Sequence, residues 1–130
     1  MTVKSPSEEG YTTVKRWLEN RAVGKRFAEY LLDHGYRSIA IYGAGDLGVL
    51  LYNEINHSPL KVRFFVDRNY EGIREINGIP VVAMESFADD LSVDALIVTP
   101  AGVFDDVCDE LMRISPETAI IGLRDAVYEI

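Results

Sequence analysis

Residues 38–48 run Ser-Ile-Ala-Ile-Tyr-Gly-Ala-Gly-Asp-Leu-Gly, an apolar stretch that breaks into Gly43-x-Gly45-x-x-Gly48. That order predicts a buried strand, a tight turn and the opening of a helix. The first glycine permits the bend, the second lets backbone approach a diphosphate, and the third lets helix and strand pack closely. Amides of the first helical turn then face the crevice, where the helix dipole favours an anion. Val62-Arg63-Phe64-Phe65-Val66 reads as a second strand and ends in Asp67, 19 residues after Gly48. A carboxylate at that place can accept both ribose hydroxyls of an adenosine. The three parts together predict a nucleotide-binding βαβ unit.

From Arg37 onward strands and helices alternate, the pattern of a parallel sheet with crossover helices. Strand 38–42 leads into helix 46–56, whose Leu47, Leu50, Leu51, Glu54 and Ile55 give a mostly apolar face, and strand 61–66 follows. After the Asn77-Gly78 turn signal comes a short third strand, 79–82, in which Pro80 suits an edge position. Residues 84–90 have room for one or two helical turns. Strand 94–98, helix 103–114 with Val103, Val107, Leu111 and Ile114 on one face, strand 119–121 and a terminal turn at 125–130 complete the chain. The fold class expected is α/β, a doubly wound parallel sheet of about five strands in the order 3-2-1-4-5. The order reverses between the first and fourth strands, and ligands of such sheets bind there, beyond the carboxyl ends of the strands. The predicted site is therefore Gly43, Ala44, Gly45, Asp46, Leu47 and Gly48, with Asp67 and Arg68 on one side and the Thr99-Pro100-Ala101-Gly102 turn on the other.

Ahead of the sheet, Ser5-Pro6-Ser7-Glu8-Glu9 has the small-polar, proline and acidic signature of a helix start. Apolar spacing predicts helices at about 7–21 and 24–34, with a break near Gly24. The chain thus divides into a helical extension, 1–36, and a nucleotide-binding domain, 37–130. Charge follows the same division. Residues 1–37 carry seven Lys/Arg and five Asp/Glu, residues 38–130 six and sixteen, for a net charge of −8. An excess of acid argues against a nucleic-acid partner, since phosphate binding needs clustered Lys and Arg. A basic helical arm on an acidic body suggests packing on the sheet, a docking surface for a second subunit, or both. The longest apolar runs have four to eight residues, too short to cross a bilayer, and residues 1–6 lead into no signal-peptide core. The single Cys108 cannot form an internal disulfide, which suits a cytoplasmic protein, and its apolar neighbours predict a buried, inert thiol.

Asp67 favours a free 2′-hydroxyl and would repel a 2′-phosphate, whereas Arg68 could pair with such a phosphate or stack on a base. Asp67 is fixed at the strand end, so NAD is favoured over NADP. Asp46 stands where the helix start should receive a diphosphate, and its side chain could instead cap the free amides. Catalytic groups are scarce. Tyr11-x-x-x-Lys15 has a dehydrogenase spacing but precedes the glycine turn. His34 and His57 fall at a helix end and in a turn, without a nucleophile or acid partner in register. There is no Cys/His metal pattern, and the pairs Asp89-Asp90 and Asp105-Asp106 read as solvated faces. Nine residues after the last strand are too few for a substrate-holding region, so any chemistry would need the N-terminal helices or another chain.

Ile-Tyr-Gly-Ala-Gly-Asp-Leu-Gly, then Phe-Phe-Val-Asp-Arg-Asn, then Ile-Asn-Gly-Ile-Pro-Val-Val, spanning about residues 38–83, resembles the N-terminal Rossmann-like domain of bacterial polysaccharide-biosynthesis proteins. These are the nucleotide-sugar dehydratase/epimerase type and the sugar acyltransferases. The resemblance implies a bound nucleotide, NAD-like or a uridine diphosphate sugar, with Gly43, Gly45 and Gly48 beside phosphate and Asp67 beside ribose or base. Neither the dehydratase catalytic domain nor β-helix repeats accompany it here. The expected function is a nucleotide-binding accessory or regulatory module, a homo-oligomer or partner of an enzyme through its N-terminal helices. Two alternatives stand beside it. One is a small NAD-dependent or nucleotide-sugar enzyme completed by another subunit, drawing on Tyr42, Tyr52 or Lys15. The other is an interaction domain that keeps only the fold.

Overall fold

The computed structural model describes residues 5–88 and 92–130. The Asp89-Asp90 pair, the end of segment 84–90 and the first four residues of the leader reading lie outside them. Six strands form one sheet: β1 (Ser38–Tyr42), β2 (Lys61–Val66), β3 (Glu75–Ile76), β4 (Ile79–Val82), β5 (Ala95–Val98) and β6 (Ala119–Gly122). They lie in the order β3-β4-β2-β1-β5-β6, every pair parallel except β3 with β4. Around them are α1 (Pro6–Ala22), α2 (Phe27–Asp33), α3 (Asp46–Ile55), α4 (Phe104–Ile114) and α5 (Leu123–Glu129), with a 3-10 turn at Met84–Ala88. The expected doubly wound α/β sheet is present. The predicted order 3-2-1-4-5 survives as β4-β2-β1-β5-β6, so the reversal falls between β1 and β5.

Four local expectations need correction. The sheet has a sixth strand, because Asn77 and Gly78 both take positive φ (51° and 83°) and turn the chain back so that β3 pairs antiparallel with β4. Pro80 is therefore not on the edge strand. It sits opposite Glu75, one residue ahead of the ladder to β2, which begins at Val81, so its missing N–H interrupts no bond there. The terminal segment is a helix, not a turn, since Leu123, Ala126 and Val127 fall at helical spacing and all three are buried. The second helix begins at Phe27, not at residue 24: Gly24 has φ 82° and ends α1 in a left-handed cap.

Helices cover both faces of the sheet, which is why its strands read as near-continuous apolar runs. Ile39, Ile41, Phe65 and Ile97 point to the side packed by Trp17, Phe27, Leu31, Leu51, Ile55, Leu123 and Val127. Ala40, Tyr42, Phe64, Val66, Leu96 and Val98 point to the side packed by Met84, Phe87, Val107 and Leu111. The N-terminal helices thus share a core with the sheet. α1 starts as its sequence suggests: the Ser5 hydroxyl accepts from the Glu8 amide at 3.2 Å and Pro6 occupies the first turn. Its second half is tied to α5, the Asn20 side-chain amide donating to the Val127 carbonyl at 2.7 Å. Glu54 on α3, counted above within an apolar face, is a buried carboxylate that joins three elements. It accepts from the Trp17 indole at 3.0 Å and the Phe27 amide at 2.9 Å, and it pairs with Arg21 at 3.2 Å. Cys108 is half-buried, and burial, followed by Asp105 and Asp109, pushes its thiol pKa upward, as befits an unreactive group.

Candidate functional site

The loop from β1 to α3 takes its shape from its glycines. Gly43 has φ 104°, and a Cβ there would fall 2.6 Å from the Thr99 hydroxyl and 2.7 Å from the Pro100 ring. A Cβ on Gly48 would fall far inside contact distance of the Gly43 carbonyl; this glycine lets α3 lie directly on the turn. Gly45 differs from both, because a Cβ there would meet nothing within 4 Å. The strictest steric demands lie at the first and third glycines, and the second faces open space.

Val49 donates to the Gly45 carbonyl at 3.0 Å and closes the first turn of α3. The amides of Asp46, Leu47 and Gly48 precede that bond and belong to the open end of the helix. No side chain caps this end. Asp46 is the exposed first residue of the helix rather than its cap, and Leu47, half-buried, packs against the core. Ala44 donates to Asp67 Oδ2 at 2.8 Å, while Asp67 Oδ1 accepts from the Asn69 amide at 2.8 Å. Asp67 therefore ties the glycine loop to its own turn. Each oxygen keeps acceptor capacity for a further donor.

Beyond Asp67 opens a cavity of about 650 Å³ at the carboxyl ends of β1, β2 and β4. Arg68, Tyr70, Met84, Glu85 and Glu110 contribute to its walls, with Tyr42 and Val66 at its base. Glu71, with a lesser contribution from Glu85, holds the Tyr70 phenol above its ordinary pKa. Tyr70, Met84, Glu85 and Glu110 were not identified from the sequence. Glu110 reaches the cavity from the far side of the sheet reversal, and no local spacing connects it to Asp67.

The other side of the predicted crevice is closed. Thr99 is buried and its hydroxyl donates to the Tyr42 carbonyl at 2.8 Å. Where Glu9, Gly10 and Thr13 of α1 meet Leu47, the Thr99-Pro100-Ala101 turn and Arg124, a cavity of only about 10 Å³ remains. Glu9 accepts from the Gly102 amide at 2.9 Å and from Arg124 at 3.1 Å. The structure thus places Asp67 and Arg68 at the cavity and Gly45 and Asp46 at the exposed start of α3, with Gly43, Ala44 and Gly48 buried beneath. It places Thr99 and Pro100 behind the loop, against Gly43. The groups weighed for catalysis are dispersed: Tyr42 lines the cavity, Tyr52 lies tilted against Phe65 on the other face of the sheet, and Lys15 pairs with Glu19 on α1. Among the described residues no His/Cys/Asp/Glu group could hold a metal ion, and no helix is long and apolar enough to cross a membrane.

Residues 36–121 match the family model of the CoA binding domain. No match was found among curated proteins.

Proposed function

Since this chain belongs to the CoA binding domain family, we propose that it is a nucleotide-binding module for a cofactor with an adenosine diphosphate half. One observation carries the reading: Asp67, which lines an open cavity, is bonded to Ala44 of the glycine loop, where the first turn of α3 is uncapped and Gly45 faces open space. The diphosphate lies over Gly45 and the amides of Asp46 and Leu47, the ribose against Asp67, and the adenine in the cavity beside Arg68 and Tyr70. CoA and NAD both contain this half. Among the described residues that line the cavity, three carboxylates, Asp67, Glu85 and Glu110, stand against one cation, Arg68, and like charges there disfavour an extra ribose phosphate. NAD and dephospho-CoA should accordingly bind at least as tightly as CoA. The resemblance to polysaccharide-biosynthesis domains supports a place beside nucleotide-sugar enzymes. The exposed Tyr11 and Leu18 of α1, with Leu50 of α3 beside Leu18, support attachment to a partner on this side.

A thermal-shift panel of ADP, NAD, dephospho-CoA, CoA and a uridine diphosphate sugar tests the reading. Ligand at about a hundred times its dissociation constant adds roughly 2.7 kcal/mol. A shift with the first three is expected, and a flat response across the panel contradicts the proposal. Asp67→Ala should weaken binding of NAD and dephospho-CoA together, by about 1.5–3 kcal/mol, since it removes a charged acceptor.

A further inference from the structure

We propose that the Gly102 amide and the Arg124 guanidinium form a second anion subsite, which the first two turns of α1 cover with Glu9 standing in for the anion. The inference rests on the nucleotide reading above and extends it to the far group of the ligand. The reversal between β1 and β5 is where a doubly wound sheet receives the second half of an extended ligand. Here Glu9, Gly10 and Thr13 of α1 stand against the Thr99-Pro100-Ala101 turn, Leu47 and Arg124, and a cavity of only about 10 Å³ is left. What stands there has the chemistry of a ligand: a carboxylate held by one backbone N–H at 2.9 Å and one arginine at 3.1 Å, the donors a phosphate takes. Arg124 stays in position without Glu9, because its face packs on the Phe104 ring at 4.9 Å and the exposed Asp105 and Asp125 lie at 3.8 and 3.6 Å.

The covering turns are the weakly held part of α1. Trp17 and Asn20, in its second half, are buried and bonded to Glu54 and Val127. Residues 5–12 include no fully buried side chain. Gly10 adds a weak point next to Glu9. A Cβ there would meet nothing within 4 Å, so packing does not demand glycine, and glycine is the poorest helix former after proline. An internal competitor of this kind lowers apparent affinity by the fraction of molecules in which it is displaced.

Calorimetric titration with inorganic pyrophosphate tests the proposal on four proteins: wild type, Glu9→Gln, Glu9→Gln with Arg124→Gln, and Gly10→Ala, each checked by circular dichroism. Glu9→Gln should bind about tenfold tighter than wild type, the size of one charge-assisted contact released. Adding Arg124→Gln should cancel the gain. Gly10→Ala, which stiffens the lid, should bind more weakly than wild type while melting higher. Equal affinity of wild type and Glu9→Gln, undetectable binding in both included, overturns the lid, and so does a gain that survives Arg124→Gln. Should Glu9→Gln not fold, unchanged affinity in Gly10→Ala overturns it on its own. An ADP response at the Gly45–Leu47 amides of the wild type separates the two ideas. With that response present and no gain from Glu9→Gln, the lid falls and the nucleotide reading stands.

Discussion

Gly48→Ala is expected to lower the melting temperature by about 10–15 °C, and with it to abolish nucleotide binding. The added methyl would be driven into the Gly43 carbonyl, and neither partner can yield cheaply. Gly43 is fixed by the hydrogen bond its N–H donates to the Val66 carbonyl at 2.8 Å and by the contact with Thr99 and Pro100 behind it. α3 is fixed by Leu51 and Ile55, both fully buried. Overpacking of this kind against rigid backbone costs about 3 kcal/mol or more. Gly45→Ala is the informative counterpart. Its Cβ enters open space at a helix cap, where Gly and Ala differ by about 1 kcal/mol. Its melting temperature should move far less, yet its affinity for ADP should fall, because the methyl stands where phosphate must approach. Thermal melts of both variants, with titrations of whichever folds, check the pair. A Gly48→Ala protein as stable as wild type would show that helix and turn are not packed as described.

Glu54→Ala should cost about 3–5 kcal/mol, the range for removing one partner from a buried, hydrogen-bonded charge. Three groups lose an acceptor at once: the Trp17 indole, the Phe27 amide and Arg21. The first two lie in the seam joining α1 and α2 to α3, so the loss should loosen the N-terminal helices from the sheet. Glu54→Gln retains one oxygen acceptor and should recover part of the deficit. Urea melts of the three proteins measure it. A Glu54→Ala variant within 1 kcal/mol of wild type, a margin typical of surface changes, would mean the seam is held by apolar packing alone.

The central unit was legible in the sequence because its determinants are local. An apolar run, three glycines and a carboxylate at the end of the next strand dictate β1, α3 and β2 almost without reference to the rest. Strand order followed from the alternation of elements, since right-handed crossovers leave few options. What escaped reading depends on distant neighbours. Glu54 sits among leucines at helical spacing and gives no local sign of its partners 27 and 37 residues away. Leu123 to Val127 is too short a pattern to separate from a turn until Asn20 and Arg16 are seen bonded to the Val127 carbonyl. Proline at position 80 suggested an edge because strand assignment from sequence did not include the two residues of β3. At the site, the place of Asp67 just beyond β2 follows from local sequence, whereas the cover that α1 lays over the turn at 99–102 does not. Glu9 meets Gly102 and Arg124 across 93 and 115 residues, contacts set by how α1 lies on the sheet.

The most direct measurement is an amide NMR titration of the wild-type protein with ADP. Binding as described shifts the resonances of Gly45, Asp46 and Leu47 together with Arg68 and Tyr70, and leaves those of β6 in place. If ADP at millimolar excess moves none of the glycine-loop amides, they receive no diphosphate, and the chain keeps the architecture of a nucleotide-binding module without its use.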